Sequence, residues 1–204
     1  VPIESSILTN RAVLQASGHE AGFSDPLAEC KVCHERFRTD HDIPKAKDHE
    51  HELTEAKAFN LMFKTHAGPI DDEGNLVYLR PETAQGMFVN FKLIADAMRL
   101  RPPFGIAQIG KNFRNEITTG HFIFRLRELE IAEIEYYVAP AEADNATDTW
   151  VEAWRQFFAD LGIEGDRVRV RPLADDERAH YAKSNTDFEY EFPFGWGEIA
   201  GVAN

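Results

Sequence analysis

The chain has 204 residues, 43% of them hydrophobic, with 15 phenylalanines and a formal net charge of -13. That length supports one sizeable core with a small appendage, and the acidic balance argues against bulk attraction to nucleic acid while leaving room for local arginine contacts. No run of about 18 apolar residues occurs, so the sequence offers no membrane-spanning helix.

The chain opens VPIESSILTN, with neither Met nor a basic and apolar leader, and stops in the apolar run GWGEIAGVAN. Both ends read as those of a central portion of a longer cytoplasmic protein. SGHEAGFSDP, residues 17–26, reads as a loop. Its His19 reads as a satisfied loop histidine. Residues 30–52 read as a polar surface insertion carrying Cys30, Cys33, His34, His41, His49 and His51. Two cysteines at Cys-x-x-Cys spacing suit a metal or redox role better than a disulfide framework. Any of the four histidines could complete a tetrahedral zinc site; the alternative is a polar insertion with a vestigial pair.

Residues 59–66 and 76–80 read as strands around a DDEGN turn. Pro81 is placed to open a helix, and Phe88, Phe91, Ala95 and Met98 recur at helical spacing as a buried stripe. Pro102 and Pro103 end it. FGIAQIGKNFRNE returns to strand, TTG turns, and a long second strand follows. Residues 148–162 read as an amphipathic helix buried on Trp150, Trp154, Phe157, Phe158 and Leu161. RVRVRPL and DFEYEFPF alternate as strands. RVRVRPL is either an RNA-facing patch or a solvated ion-paired face. The absence of a strict βαβ alternation favours an α+β domain on an antiparallel sheet.

The segment FRNEITTGHFIFRLRELEIAEIEYYV, residues 113–138, carries opposed charges among apolar residues. Successive strand side chains point to opposite faces. The even set, including Phe122, Phe124, Leu126, Ala132, Ile134 and Tyr136, should meet the core. The odd set runs Arg125, Arg127, Leu129, Ile131, Glu133, Glu135. Arg125, Leu129 and Glu133 stand four apart, roughly 13 Å per step. Such a face is either a binding floor, with arginines for phosphate and carboxylates for an amine, or a solvated face of cross-strand ion pairs.

FRNEITTGHFIFRLRELE resembles the second signature motif of class II aminoacyl-tRNA synthetases. ASGHEAGFSDPLAECKVCHERFRTDH, LTEAKAFNLMFKT, YLRPETAQGMFVNFK, PFGIAQIGKNFRNEIT and FPFGWGEIAGVAN follow in the order found in the homodimeric glycyl-tRNA synthetase family. The resemblance implies a six- or seven-stranded antiparallel sheet flanked by helices across residues 1–204, with a Cys/His insertion at about 30–52 and a helix–strand insertion at about 140–186. It implies ATP and Mg2+, glycine and tRNA(Gly) as reactants, a homodimer, and glycyl-adenylate as intermediate. By position, Arg114 would hold the α-phosphate and the glycine carboxylate. Glu116 would seat the adenine, and Arg125 would reach the γ-phosphate side. Glu82 and Glu133 would surround the ammonium, with Glu198 at the rim, and the resemblance places the loop of His19 near the active site as the alternative to a satisfied loop histidine. Family members often bind a structural zinc through two Cys pairs, of which only Cys30 and Cys33 are present here.

The sequence departs from the family at two points of that motif. Leu129 stands where an adenine-stacking Phe is expected, which predicts weaker ATP affinity by about 0.5–1.5 kcal/mol. Thr119-Gly120-His121 replaces a Pro-Arg loop. A synthetase-like binding or regulatory module that has lost catalysis is the alternative reading. The four groups Arg114, Arg125, Glu82 and Glu133 argue for the enzyme.

Overall fold

In the computed structural model, residues 1–40, 42–175, 177–178 and 182–204 are described. His41, one of the four candidate zinc-completing histidines, lies outside them. The chain divides into two units, Val1–Tyr136 and Tyr137–Asn204.

In the first unit, β1 (Leu8–Asn10) stops where Asn10 becomes an N-cap. Its side-chain oxygen accepts from the Ala12 amide at 2.9 Å and starts α1 (Arg11–Ala16). Gly18, at φ 79, lets the chain turn into α2 (His19–Gly22). Then β2 (Ser24–Glu29), β3 (Arg36–Arg38) and β4 (Lys57–Asn60) form an antiparallel sheet in the order β3-β2-β4. A second antiparallel sheet, β1-β6-β5, uses β5 (Lys64–His66) and β6 (Leu76–Leu79). The strand expected over 59–66 is therefore two. The break has a cause: the Leu61 amide donates to Phe23 O, and the Asn60 side chain accepts from the Met62 amide at 2.9 Å. Leu61 and Met62 leave the ladder and are buried. Met62 joins Leu14, Leu76 and Tyr78 in a core that Phe23 flanks.

α3 (Ala84–Met98) starts three residues later than Pro81 suggests. Thr83 sits at its N-cap but makes no capping bond, because its hydroxyl donates to Glu133 instead. The buried face of α3 is Ala84, Gln85 and Met87, with Phe91 half-buried and stacked on Phe104. Phe88 and Met98 of the expected stripe are exposed. The helix ends at Arg99, which is left-handed, ahead of the proline pair.

β7 (Phe104–Phe113) and β8 (Glu128–Tyr137) pair with each other. Val1–Ile3 adds a parallel edge to β7 through a Pro2–Ala107 bridge. The second strand starts later than expected. His121 and Phe122 are both left-handed, which an extended ladder excludes. Arg125 thus lies on the hairpin, bridged to Gly120. The faces of β8 are also reversed: Ile134 and Tyr136 are exposed, while Leu129, Ile131, Glu133 and Glu135 are half-buried. Burial follows the odd face because the Pro81–Thr83 loop is bonded to it, the Thr83 amide donating to Glu133 at 2.6 Å.

In the second unit, α4 (Ala143–Asp160) begins at Ala143 rather than at 148. An antiparallel sheet of β9 (Val168–Pro172), β10 (Asn185–Phe192) and β11 (Gly195–Ala203) follows in the order β11-β10-β9. Phe158 packs on Phe188 and stacks with Trp154. Phe157 and Leu161 are exposed, against expectation. Arg169 and Arg171 both bond Glu189, so RVRVRPL is an ion-paired face. The described strands form three three-stranded sheets and one two-stranded sheet, not the single six- or seven-stranded sheet that the resemblance implies.

One glycine tests the packing of α3. A Cβ on Gly86 would fall 2.6 Å from Ser5 Cβ. Alanine in a helix normally gains about 0.5–1 kcal/mol over glycine, but overpacking costs about 1–3 kcal/mol. Gly86→Ala should lower the melting temperature; a rise would show that the Ser5 segment yields freely.

Candidate active site

The loop between β6 and α3 carries Arg80, Pro81, Glu82 and Thr83. Arg80 is buried and ties three segments together. Its Nε donates to Lys111 O at 2.8 Å, its Nη1 donates to Ser5 O at 2.8 Å, and its own carbonyl accepts from the Phe113 amide. The loop is thereby fixed against the end of β7, where Arg114 follows.

Glu82 receives two side chains on one oxygen. His19 Nε2 lies 3.3 Å from Glu82 Oε1, and Gln85 Nε2 donates to the same atom at 2.6 Å. Burial pushes the Glu82 carboxyl up, but His19, Gln85 and Arg114 outweigh it and hold the group below its ordinary range. Glu133 on β8 is held on one oxygen too, Oε2 accepting from both the amide and the hydroxyl of Thr83. Burial and the Glu82 charge raise Glu133 despite Thr83 and Arg114. Two residues on, Glu135 is pushed up to about 7 by burial, then by Glu133 and Glu82. Arg114 donates through Nε to Pro81 O at 3.1 Å, and its guanidinium lies 5.4 Å from the centre of the Phe23 ring. Glu82, Glu133 and Arg114 thus belong to one electrostatic cluster. It sets carboxylates against a cation, as a site for an amino acid's two charged ends requires.

Glu116 is half-buried beyond Arg114. Its carbonyl accepts from Arg127 Nε at 3.1 Å. Arg38 of β3 is held by Asp40 at 2.7 Å and Asp25 at 2.9 Å, and the Glu116 charge also favours its charged form. Leu129 is half-buried on the face that leads to Glu133. Arg125 is half-buried on the hairpin and not on the strand with Leu129 and Glu133, so the four-residue spacing read for all three holds for Leu129 and Glu133 alone. Glu198 lies in the second unit on β11, opposite Glu189. Sequence reasoning missed Thr83, Gln85, Glu135 and Phe23 as parts of the site. Glu135 had a signal, the period-2 step from Glu133. Gln85 had one too, three residues after Glu82 at a helix start. Thr83 and Phe23 had none, because their partners are distant in sequence.

A second cluster is a candidate metal centre. The Sγ atoms of Cys30 and Cys33 and one ring nitrogen each of His49 and His51 lie within 4.8 Å of one another. Cys30 Sγ is 3.9 Å from His49 Nε2, and Cys33 Sγ is 3.7 Å from His51 Nδ1. Tetrahedral zinc bonds of about 2.0–2.3 Å set neighbouring donors roughly 3.3–3.8 Å apart; the two Cys–His pairs lie at or just beyond that spacing, and two thiols with two imidazoles are a donor set of the type that holds zinc. Each remaining ring nitrogen has a partner: His49 Nδ1 meets Asp48 at 2.9 Å and His51 Nε2 meets Pro44 O at 3.0 Å. Such outer contacts orient ligand imidazoles. Burial pushes the Cys30 thiol up, but the Cys33 amide, the His51 ring and the Val32 amide bring it down to about 5, toward the thiolate a metal needs. Of the described candidate histidines, His34 is instead beside Glu29 at 3.3 Å.

Residues 63–204 match the sequence model of the tRNA synthetase class II core domain (G, H, P, S and T). The chain is 45% identical to the glycine–tRNA ligase of Caldanaerobacter subterraneus subsp. tengcongensis, over 100% of this chain and 51% of that protein. It is 46% identical to the glycine–tRNA ligase of Treponema denticola, over 100% of this chain and 47% of that protein. The chain therefore spans about half the length of these curated relatives. A solved prolyl-tRNA synthetase from Cryptosporidium parvum, complexed with halofuginone and AMPPNP, superposes with a TM-score of 0.63 at 14% identity, covering 98% of this chain and 33% of that one. That likeness concerns the fold.

The site's excess of buried negative charge has a measurable sign. Between the ordinary carboxyl value of 4.5 and about 7, folded Glu135 keeps a proton that the unfolded chain has released. Stability from this group is fully present below 4.5, falls as pH rises through that window, and levels off above it. Glu135→Gln cannot ionise. It should melt like the parent near pH 4.5 and be more stable at pH 8, by on the order of 3 kcal/mol. Thermal melts showing the same difference at both values would contradict the assignment.

Proposed function

This chain belongs to the class II tRNA synthetase core family, and from that premise we propose that it is the central catalytic portion of a glycine–tRNA ligase. The observation that carries the reading is the pairing of two half-satisfied carboxylates, Glu82 and Glu133, with Arg114. Each carboxylate has one oxygen taken by protein donors, which leaves the other for an ammonium. Arg114 supplies the complementary cation. Both curated relatives above carry the name glycine–tRNA ligase.

The reaction follows from charge placement. Glu82 and Glu133 hold the glycine ammonium. Arg114 holds the glycine carboxylate beside the α-phosphate of Mg2+·ATP. A carboxylate oxygen attacks the α-phosphorus, the bond to the β-phosphate oxygen breaks, and pyrophosphate leaves. No enzyme nucleophile is required: the chain contributes orientation and a fixed cation for the charge that builds up at phosphorus. Glu116 seats the adenine, Leu129 covers it, and Arg125 meets the γ-phosphate side. A hydroxyl at the 3′ end of tRNA(Gly) then attacks the glycyl carbonyl, the bond from that carbonyl to the phosphate oxygen breaks, and AMP leaves.

Selectivity works by exclusion. Glycine has no side chain to grip, so carboxylates crowded about its Cα must reject a methyl group. A methylene in an ordinary pocket is worth about 1–3 kcal/mol. Glu82 and Glu133 can exceed that because both are bound to other protein groups and cannot swing away. The Cys30, Cys33, His49 and His51 set would hold a structural zinc, closing the module at about 30–52; residues at about 140–186 form the second insertion. Among the described residues no helix is long and apolar enough to cross a membrane. We place the protein in the cytoplasm as a homodimer.

Calorimetry with a non-hydrolysable glycyl-adenylate analogue and its alanyl counterpart tests the central reading. The glycyl compound should bind at least about tenfold more tightly. Arg114→Ala should weaken both by about 10- to 100-fold, the worth of a charged hydrogen-bond partner. Equal binding of the two compounds would reject glycine specificity. For the metal, elemental analysis should find one zinc per chain, lost in Cys33→Ser and His49→Ala with a lowered melting temperature. A parent chain that purifies without zinc, together with Cys33→Ser and His49→Ala variants that melt no lower than it does, would reject it.

A further inference from the structure

The sequence leaves His19 between two readings, and its surroundings in the structure choose one. His19 is 8% exposed. Its Nε2 faces Glu82 Oε1 at 3.3 Å and its Nδ1 faces Ser17 Oγ at 2.9 Å. A carboxylate can only accept, so Nε2 carries the proton. In the neutral ring Nδ1 then accepts from the Ser17 hydroxyl. A three-member chain runs Ser17 to His19 to Glu82. The ring also packs 5.3 Å from Phe23, the same ring that Arg114 lies over.

The segment that carries this chain is itself clamped. Asn60 Nδ2 donates to His19 O at 3.2 Å and to Glu20 O at 3.1 Å. The Phe23 amide donates to His19 O. Next to His19, Glu20 accepts from the Tyr78 hydroxyl at 2.7 Å and from Arg11 at 2.7 Å. This is far more restraint than a surface loop receives. A buried histidine held on both nitrogens and on its carbonyl cannot rotate to release Glu82.

We infer that His19 is a positioning residue for the amine-binding carboxylate: through the Ser17–His19–Glu82 chain it fixes which Glu82 oxygen is left for the substrate ammonium. The inference rests on the proposed role of Glu82 in glycine binding. It makes the amine end depend on residues 17–19 while the nucleotide end does not. It also makes glycine use pH-dependent. Glu82 is faced by His19 from α2, Gln85 from α3, Arg114 after β7, and Glu133 and Glu135 from β8. Of these, His19 and Gln85 donate directly and Arg114 supplies charge, while the two glutamates oppose ionisation. Removing the His19 donor leaves burial and like charge less opposed, so the Glu82 carboxyl must titrate higher.

The test uses the full chain and amino-acid-dependent ATP–pyrophosphate exchange. His19→Phe keeps the ring against Phe23 and removes the donor. It should raise the KM for glycine by about tenfold with the KM for ATP within about twofold, and move the acid limb of kcat/KM for glycine to higher pH. His19→Gln, which restores an N–H donor, should recover most of the loss. Ser17→Ala should give a smaller change of the same kind. Equal rises in both KM values, or no rescue by His19→Gln in a protein with an unchanged melting temperature, would overturn the inference and leave His19 as packing. A readout independent of the substrate is the titration of Glu82 followed by carbon NMR. An upward shift in His19→Phe supports the chain of contacts, and an unshifted Glu82 overturns it. Absence of glycine-dependent exchange in the parent would count against the glycine reading alone, since the NMR titration still decides the role of His19.

Discussion

Burial of like charge around one guanidinium is the constraint from which the first unit is organised. Glu82, Glu133 and Glu135 come from a loop and a strand, and each is pushed up by burial. Carboxylates desolvated together are costly unless something donates to them. The groups that do so come from three separate segments: His19 of α2, Thr83 and Gln85 at the start of α3, and, through its charge, Arg114 after β7. Much of the local architecture serves to bring those four to the carboxylates.

The price of that arrangement is visible at α3. Thr83 is an ordinary N-cap residue by type, yet its hydroxyl goes to Glu133 and the helix start is left without a side-chain cap. The helix is shortened at its start relative to the proline signal. Arg80 compensates by anchoring the loop to Lys111 and Ser5. A local stabilising choice has been exchanged for a fixed carboxylate, which is the kind of conflict between local preference and site geometry expected where chemistry is done.

The Cys/His module is tied to the same region. Its strand β3 carries Arg38, which pairs with Asp25 of β2 and Asp40 and is also favoured by the charge of Glu116. Cys30 directly follows β2 and bridges to Leu53, and the Lys31 amide closes onto Glu52 O. The four donor atoms are therefore assembled by the same sheet that supports Arg38. A change at the cluster has a short covalent path, a few residues of β2 and β3, to the group behind the Phe-Arg-x-Glu motif.

The sequence by itself determined the class of fold and the family resemblance, and it singled out Glu82, Glu133 and Arg114, which the structure brings into one charged cluster, because Phe-Arg-x-Glu, Arg-Pro-Glu-Thr and Cys-x-x-Cys are local patterns whose chemistry is carried by residue type and spacing. It also placed the α3 and β7 elements and the DDEGN turn, but not the buried face of α3, since Phe88 and Met98 of the expected stripe are exposed. Three matters were decided by tertiary structure. Which face of β8 is buried depends on the Thr83–Glu133 contact, fifty residues apart; alternation along a strand names two faces but cannot rank them. Which histidines join Cys30 and Cys33 depends on how residues 42–52 fold back, and spacing alone left four choices. The role of His19 depends on Glu82, which lies sixty-three positions away in the chain and 3.3 Å away in space. Periodicity reports a residue's own surroundings along the chain, whereas hydrogen-bond partners across it exist only once the segments have packed.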